Sequence, residues 1–263
     1  MSVYKIPQKI KRFEIFRPKT TLKNWYNQQV DKPDILLNAS LYTSNYTPCG
    51  TIFNNGVIVS NQGKGFGFGT VDKKTVEFGQ PWDKKWHDYI TGYYGLIQDG
   101  KAIDPPWKDT YVFDSALSRI AFGKMKDGSL AIICENLKTI KAFANDAVKQ
   151  GFTDLCNLDG GGSRALLWMG KWVYTSTRTP YNAIAIWLEN ENDKGDNLKV
   201  KCINKTNVCD KNGKIETGRY IDVGDICVIN TLITSNLLIK ITYPVSGGTR
   251  TAYIKNLENF VNV

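Results

Sequence analysis

The sequence contains a single histidine, His87, among its 263 residues. A metal centre built on several histidines is therefore excluded, and a Ser-His-Asp triad would have to use this residue. His87 lies between Trp86 and Asp88 in an aromatic-rich stretch, which favours a structural or substrate-lining role over that of a catalytic base. This scarcity moves the expected chemistry towards carboxylates.

Long apolar runs are also missing. No stretch of 18 or more apolar residues occurs, so the sequence predicts no membrane-spanning helix. The first residues, Met1 to Lys11, lack the continuous apolar core of a signal peptide, so the sequence gives no support for secretory export.

The six cysteines lie far apart and form no Cys-x-x-Cys pair. This spacing argues against a zinc site and predicts buried thiols. A link between Cys202 and Cys209 is the one disulfide that the spacing leaves conceivable.

Positive charge is in excess, with 34 Lys and Arg against 25 Asp and Glu and a formal net charge of +9. Such a balance favours anionic partners: nucleic acid, cell-wall polymers or phosphorylated glycans. The basic residues are dispersed, without the dense block of a nucleic-acid-binding tail, so we expect no nucleic-acid partner. A basic surface that only keeps the protein soluble explains the charge equally well.

Periodicity and turn signals predict an α+β chain of two domains. Residues 1–190 form a mixed β-sheet domain with a few packed helices, and residues 198–263 form a small all-β barrel. A polar linker, 189–197, lies between them. The clearest elements are two helices (Leu22–Val30, capped by Thr21, and Lys138–Gln150) and three hairpins (51–59, 119–134 and 165–174).

One stretch stands out chemically: Asn157–Arg164, in which Asp159 and three glycines follow an apolar strand. Three adjacent glycines cost conformational entropy, so stability alone is a poor reason to keep them. Their backbone N–H groups can approach a ligand and form a nest for an anion such as phosphate. A tight hairpin turn is the alternative.

Other polar residues adjoin apolar strands. Asn38 and Ser40 follow the strand Ile35–Leu37, while Arg178 and Asn182 precede another apolar strand, Ala183–Trp187. Residues in such places often line a site, although ordinary turns use them as well. Arg119 begins a further apolar strand, from which its planar guanidinium group can enter a cleft.

Taken in order, these segments resemble the phosphodiester glycosidase family. The resemblance covers residues 35–188, and Asn157–Ser163 is its most specific part. Its other parts are Asn38–Tyr42, Leu96–Gly100, Ser118–Gly123, the helix 138–150, and Arg178 with Asn182–Ala185. The family usually has a small residue where this chain has Arg164, and an aromatic pair where it has Leu41-Tyr42. These departures leave the sugar preference open.

The resemblance implies hydrolysis of a sugar-1-phosphodiester at the anomeric carbon. On that basis Asp159, Arg119 and Asn38 are the predicted catalytic residues. The predicted substrate-binding residues are Ser40, Gly160, Gly161, Gly162, Ser163, Arg178 and Asn182. In this hypothesis Arg119 and Arg178 hold the phosphate.

Several points stay open at the level of sequence. Glycosidases usually employ two carboxylates, and four residues are candidates for the second: Asp88, Asp99, Asp114 and Glu135. No cofactor is required, but Asp159 could instead bind a hard cation such as calcium. The stereochemical outcome and the oligomeric state do not follow from the sequence.

A function of another class is a non-catalytic protein that binds cell wall or glycan with the same fold. Residues 198–263 resemble a bacterial SH3-like cell-wall-binding module, and a β extension of the first domain is the alternative. Together with the missing signal peptide, this resemblance suggests a bacteriophage protein that acts at the bacterial cell wall, on the virion or at lysis. A cytoplasmic bacterial enzyme would show the same features.

Overall fold

A computed structural model describes residues 1–7, 9–62, 65–91, 95–103, 110–189, 198–231 and 238–262. The chain divides into two compact units, Met1–Leu188 and Glu189–Val263. Most of the predicted linker, 190–197, lies outside the described residues. No helix in the described ranges is both long and apolar enough to cross a bilayer.

The first unit has three described α-helices, α1 (Leu22–Gln28), α2 (Thr110–Asp114) and α3 (Ile140–Lys149). Its strands are β1 (Ser2–Lys5), β2 (Ile10–Phe16), β3 (Ile35–Asn38), β4 (Thr51–Asn54), β5 (Val57–Asn61), β6 (Gly67–Thr70), β7 (Val76–Gly79), β8 (Asp88–Ile90), β9 (Gly95–Gln98), β10 (Lys101–Ala102), β11 (Leu117–Met125), β12 (Leu130–Lys138), β13 (Phe152–Asn157), β14 (Leu166–Trp168), β15 (Lys171–Tyr174) and β16 (Ala183–Leu188).

These strands form three sheets. Their orders are β1-β12-β11-β13-β9-β10, β15-β14-β3-β16-β2 and β5-β4-β8-β6-β7. Every described strand pair is antiparallel, so the predicted mixed sheet is wrong in this respect. Antiparallel neighbours can be joined by short turns such as Asp127-Gly128, and no helical crossover is needed between them.

The first two of these sheets face each other across one core, to which Phe68 and Ile90 of the third sheet also contribute. Alternation along β11 explains the layers: Ile120 and Phe122 enter the core between the sheets, whereas Ala121 points to the opposite face. Helices α2 and α3 cover that opposite face, and α1 covers the outer face of the second sheet. The unit therefore has helical layers outside two packed sheets, and both sheets end beside the predicted site.

The two predicted helices each begin after a threonine cap, of which only Thr21 was predicted. Thr21 caps α1 by accepting a hydrogen bond from the Asn24 N–H at 3.3 Å, and Thr139 caps α3 in the same way. Helix α1 ends two residues earlier than predicted, and α3 begins two residues later. The predicted hairpins at β4–β5, β11–β12 and β14–β15 are confirmed.

Glycines allow strands β6 and β8 of the third sheet to approach each other closely. A Cβ atom on Gly69 would lie 2.1 Å from the Asp88 carbonyl oxygen, and one on Gly67 would lie 2.3 Å from that of Ile90. Any side chain at these positions would force β6 away from β8. The alternation of Gly and Phe in this strand is therefore structural.

The second unit, described by itself, is a single seven-stranded antiparallel sheet curled into a half-barrel. The described strands are β17 (Leu198–Cys202), β18 (Thr206–Cys209), β19 (Ile215–Ile221), β20 (Ile226–Thr231), β21 (Ile239–Val245), β22 (Gly248–Ile254) and β23 (Phe260–Asn262). Cys202 and Cys209 are buried thiols, and the Sγ atom of Cys209 lies 3.2 Å from the Tyr253 carbonyl oxygen. The Cys202–Cys209 link is therefore wrong.

Candidate functional site

Asp159 lies where the sheet that contains β11 and β13 meets the sheet that contains β3 and β16. The N–H of Leu158 donates to the Ile120 carbonyl at 2.9 Å, which continues the pairing of β13 with β11 in the first sheet. The next N–H, of Asp159, donates to the Ala39 carbonyl at 2.8 Å, just after β3 of the second sheet. The carboxylate is thus positioned by backbone from both sheets.

The three glycines after Asp159 have different structural reasons. A Cβ atom on Gly160 would lie 2.3 Å from the Ser118 carbonyl oxygen, so a side chain is excluded by the neighbouring backbone. Gly161 has φ +54°, a left-handed conformation that is costly for most residues. A Cβ atom on Gly162 would approach the guanidinium carbon of Arg178 to 3.2 Å. The run therefore belongs to a shaped site, and the alternative of an ordinary hairpin turn does not explain all three.

The carboxyl group of Asp159 is perturbed by its surroundings. Burial raises its pKa to about 6, against opposing effects from a hydrogen bond to the Ser163 side chain, the nearby Arg178 charge and the Gly160 N–H. Such a value lies close to neutral pH, where a carboxyl group can exchange protons during a reaction. Perturbed carboxyl groups of this kind are frequent at active sites.

Arg178 provides the positive charge of the site. Its side chain is exposed, and its Nη1 donates to the Ser163 Oγ at 3.3 Å. Ser163 is buried and contacts both Asp159 and Arg178, so it connects the two charged groups. In the described part of the chain, no carboxylate forms a salt bridge with Arg178. Its remaining donors suit an anionic ligand.

Asn38 holds both ends of the glycine turn. Its side-chain amide donates to the Asp159 carbonyl at 2.5 Å, and its Oδ1 accepts the Ala165 N–H at 2.9 Å. The residue is fully buried on β3. It therefore fixes the turn through the backbone, and its side chain is already engaged at both polar atoms.

Ser40 and Asn182 form a second buried connection beside the turn. The Ser40 N–H donates to the Asn182 Oδ1 at 2.8 Å, and the Ala39 N–H donates to the Asn182 carbonyl at 3.1 Å. Both side chains are nearly completely buried. These bonds join the segment after β3 to the start of β16, so the two residues help to fix the same corner.

Arg119 is near the site, but its guanidinium group is oriented towards backbone. Nε donates to the Lys138 carbonyl at 2.8 Å, and Nη2 donates to the Val112 and Ser115 carbonyls, each at 2.7 Å. The residue is 2% exposed. These contacts support a role in holding α2 against the sheet more than the predicted role in binding phosphate.

The four candidates for the second carboxylate lie in different places. Asp88 belongs to β8 of the small sheet, with its Oδ2 3.3 Å from the His87 Nδ1. Asp99 is in the turn after β9, and Asp114 ends α2. Glu135 is the register partner of Arg119 on the neighbouring strand β12, and Arg119 belongs to β11, which also pairs with β13 before Asp159.

Two residues carry a buried polar atom without a partner among the described residues: Glu135, already a candidate for the second carboxylate, and Asn157, which was not among the predicted site residues. The atoms are Glu135 Oε2 and Asn157 Oδ1. Asn157 is 2% exposed and lies two residues before Asp159. The sequence signal was its place in Asn157–Ser163, the most specific part of the family resemblance.

Arg164, the departure noted in the sequence, does not extend towards Asp159. Its guanidinium carbon lies 3.8 Å from the Tyr174 ring centroid, and its Nη1 donates to the Asn136 Oδ1 at 2.8 Å. No cluster of three or more His, Cys, Asp or Glu residues suited to a metal ion occurs in the described ranges. The calcium site stays a prediction.

Comparison with known proteins gives one family. The family model described as phosphodiester glycosidase matches residues 32–190. The solved catalytic domain of zebrafish N-acetylglucosamine-1-phosphodiester alpha-N-acetylglucosaminidase, auto-inhibited by its pro-peptide, is similar in fold. Its TM-score is 0.55 at 17% identity, over 67% of this chain and 73% of that one. No curated protein matches significantly.

Two further solved structures are more distant. A hypothetical protein from Synechocystis has a TM-score of 0.46 at 12% identity, over 71% of this chain and 56% of its own. A putative exported protein from Burkholderia pseudomallei has a TM-score of 0.45 at 11% identity, over 66% of this chain and 71% of its own.

Proposed function

Because the chain belongs to the phosphodiester glycosidase family, we propose that it hydrolyses a sugar-1-phosphodiester at Asp159. The observation that carries this proposal is the grouping of Asp159, Ser163 and Arg178, in which a carboxyl group with a pKa of about 6 adjoins an exposed guanidinium group. The substrate class is a glycan or cell-wall polymer that contains a sugar linked to phosphate through its anomeric carbon.

The phosphate group is held by Arg178. A guanidinium group can donate two parallel hydrogen bonds to phosphate oxygens, and its charge offsets the negative charge that develops on the leaving group. The backbone of the glycine turn can also contact the phosphate group, because none of its three residues has a side chain in the way. The anion can therefore approach both the turn and Arg178.

Asp159 acts in its ionised form. The bond between the anomeric carbon and the phosphate oxygen breaks, and the phosphate monoester leaves with the electron pair. Because this leaving group is stable as an anion, its departure depends little on a protonating acid. Asp159 either accepts the proton of the attacking water or attacks the anomeric carbon itself, with water then releasing the sugar.

Glu135 is the second carboxylate of this proposal. It lies opposite Arg119 on β12, and Arg119 is next to the end of β13. Its Oε1 is 3.3 Å from the Lys138 ammonium group, while its buried Oε2 has no partner among the described residues. An unsatisfied carboxylate oxygen is costly, so a ligand hydroxyl or water at this point would stabilise it.

The proposal is tested by mass spectrometry of products from a panel of sugar-1-phosphodiesters and purified wall polymers. Asp159→Asn should reduce release of free sugar by at least about a thousandfold, as expected for loss of a central catalytic group. Asp154→Asn, a control on β13 before the turn, should keep wild-type activity. Full activity of the Asp159→Asn protein would refute the assignment.

A non-catalytic glycan-binding function is the second candidate. It is favoured by Arg119, whose donors are engaged by backbone carbonyls, so that one exposed arginine is left at the turn. This function predicts binding of the same phosphodiesters without any product. The product screen therefore separates the two candidates directly.

The second unit is the proposed wall-binding module, with an SH3-like role and a setting at the bacterial cell wall, as in a bacteriophage protein. The support is its small all-β sheet and the resemblance of residues 198–263. Pull-down of the full chain on isolated walls, before and after removal of anionic polymers, tests this role. Equal recovery from both preparations would contradict an anionic wall ligand.

A further inference from the structure

A second cleft lies beside the Asp159 site in the first unit. Its volume is about 430 Å³, and it is formed by four separate segments of chain. Residues that define it are Arg17, Tyr46, Thr47, Ser60, Asn61 and Tyr181. Most of these side chains are polar or aromatic, a composition that suits a hydrophilic ligand with an anionic group.

Arg17 gives this cleft its charge. The side chain is exposed, and no carboxylate in the described ranges forms a salt bridge with it. Its guanidinium carbon lies 4.8 Å from the Tyr181 ring centroid and 5.3 Å from that of Tyr46. Contact with aromatic rings orients the guanidinium group and leaves donors at its edge for an anion.

Ser60 supplies an unsatisfied hydroxyl group. Its residue is 8% exposed, and its Oγ has no hydrogen-bond partner in the part of the chain that the structure describes. A buried polar group without a partner is destabilising, because it has lost its hydrogen bonds to water and gained none in the protein. Because Ser60 lines the cleft, a bound oxygen-rich ligand would satisfy this hydroxyl group.

Tyr46 is held in an unusual backbone conformation. Its φ is +58°, which is an outlier for a bulky side chain, and its hydroxyl group donates to the Pro180 carbonyl at 2.8 Å. The Tyr46 and Tyr181 rings are 5.5 Å apart between centroids. Strained conformations of this kind are concentrated at ligand sites, where the surrounding structure maintains them.

The cleft is connected to the Asp159 site by one short segment. Arg178 contacts Ser163 at one end of this segment, and Tyr181 lines the cleft three residues later. An extended chain covers at most about 3.6 Å per residue, so the two Cα atoms are within roughly 11 Å of each other. The Asp159 site and the cleft are therefore neighbours along this segment.

We propose that the Arg17–Tyr46–Ser60–Tyr181 cleft binds a second phosphate group of the substrate, one repeat away from the phosphodiester at Arg178. The substrate class is then a chain of sugar-phosphate repeats, and an isolated phosphodiester occupies only half of the available site. This substrate assignment rests on the proposed function, whereas anion binding in the cleft does not.

The first experiment measures binding alone. Calorimetric titration of the full chain with inorganic pyrophosphate should show two binding events. Arg17→Gln should remove one event and Arg178→Gln the other, while Arg12→Gln, a control on β2 whose guanidinium group pairs with Asp31, should remove neither. An unchanged titration of the Arg17→Gln protein would overturn the proposal, whether or not the chain hydrolyses anything.

The second experiment uses two synthetic glycans, one with a single N-acetylglucosamine-1-phosphodiester and one with two such repeats. Wild-type protein should have a KM about tenfold lower for the two-repeat glycan, the expected gain from one additional charged contact. Arg17→Gln should abolish this preference without changing kcat/KM for the single-repeat glycan, and Ser60→Ala should reduce it. An equal loss on both glycans would overturn the separate subsite.

If neither these glycans nor any member of the sugar-1-phosphodiester panel is hydrolysed, the proposed function fails, and the calorimetric result still decides whether the cleft binds anions. If the Arg17→Gln protein is misfolded, the Ser60→Ala protein decides instead, because it removes one hydroxyl group and retains the charge. Two results together would count against the cleft. The Ser60→Ala protein would keep the wild-type preference for the two-repeat glycan, and its second pyrophosphate-binding event would be undiminished.

Discussion

The open side of the site and its buried frame use polar residues differently. On the open side, Asp159, Ser163 and Arg178 contact one another, and Arg178 retains donors that face solvent. In the frame, Asn38 and Arg119 donate mainly to backbone carbonyls from positions almost without exposure. Side chains whose hydrogen-bonding atoms are all engaged by backbone hold a site in place. Charged side chains that keep available donors can bind a ligand. The difference therefore assigns roles that residue type alone does not.

The two arginines provide the sharpest test of this comparison. Arg178→Gln should lower kcat/KM by about a hundredfold to a thousandfold, because an exposed charge on the phosphate is lost, while the free energy of unfolding stays nearly unchanged. Steady-state kinetics and urea unfolding measure the two quantities. Lys171→Gln, an exposed control on β15, should change neither, and a large loss of stability in the Arg178 variant would erase the distinction.

The same substitution in the frame should give the opposite pattern. Arg119→Gln should lower the free energy of unfolding by about 2–4 kcal/mol, because three buried carbonyl groups lose a charged donor. Urea unfolding measures this loss. If the Arg119→Gln protein keeps its stability and only its kcat/KM falls, Arg119 binds the phosphate, as the sequence first indicated. Arg119 would then not belong to the buried frame.

A smaller effect concerns pH and Asp159. Because the folded-state pKa of Asp159 is about 6, above its usual value, the folded state holds the proton more tightly than the unfolded state. Stability from this group is fully present below about pH 4 and is lost as pH rises to about 6, by up to about 3 kcal/mol. Asp159→Asn should remove this loss, so its unfolding free energy should exceed that of the wild type increasingly from pH 4 to 6.

The catalytic consequence has the reverse direction. In the proposed function Asp159 acts in its ionised form, so kcat/KM should rise through an apparent pKa near 6 and then level off. A pH–rate profile that falls through the same value would mean that the protonated carboxyl group is the active one. The open side would still hold the reacting groups, but Asp159 would be an acid.

Local features were predictable from the sequence, and long-range ones were not. Thr21 signals a helix start, and Asp127-Gly128 signals a turn, because each depends on neighbouring residues. The site residues near Asp159 were identified by family resemblance. The division of these residues into an open side and a buried frame could not be predicted. It depends on contacts such as that of Asn38 with Asp159, which lie 121 residues apart.

The cleft around Arg17 was missed for the same reason. Its residues come from four segments, and none carries a motif. The sheet type was also misjudged, because apolar runs such as 183–188 fit buried strands of either direction. The direction becomes clear only from the hydrogen-bond pairing, in which β16 lies between β2 and β3 and runs antiparallel to both.

Asn38 has a consequence for how the protein becomes active during folding. Its amide group joins the turn to β3 across a long loop of chain, and contacts that close long loops form late because they carry a large entropy cost. Helices and hairpins can therefore be complete while the Asp159 turn is still unshaped. The Asp159 site is then a property of the assembled pair of sheets, and a nascent chain lacks it before β14 to β16 have been made.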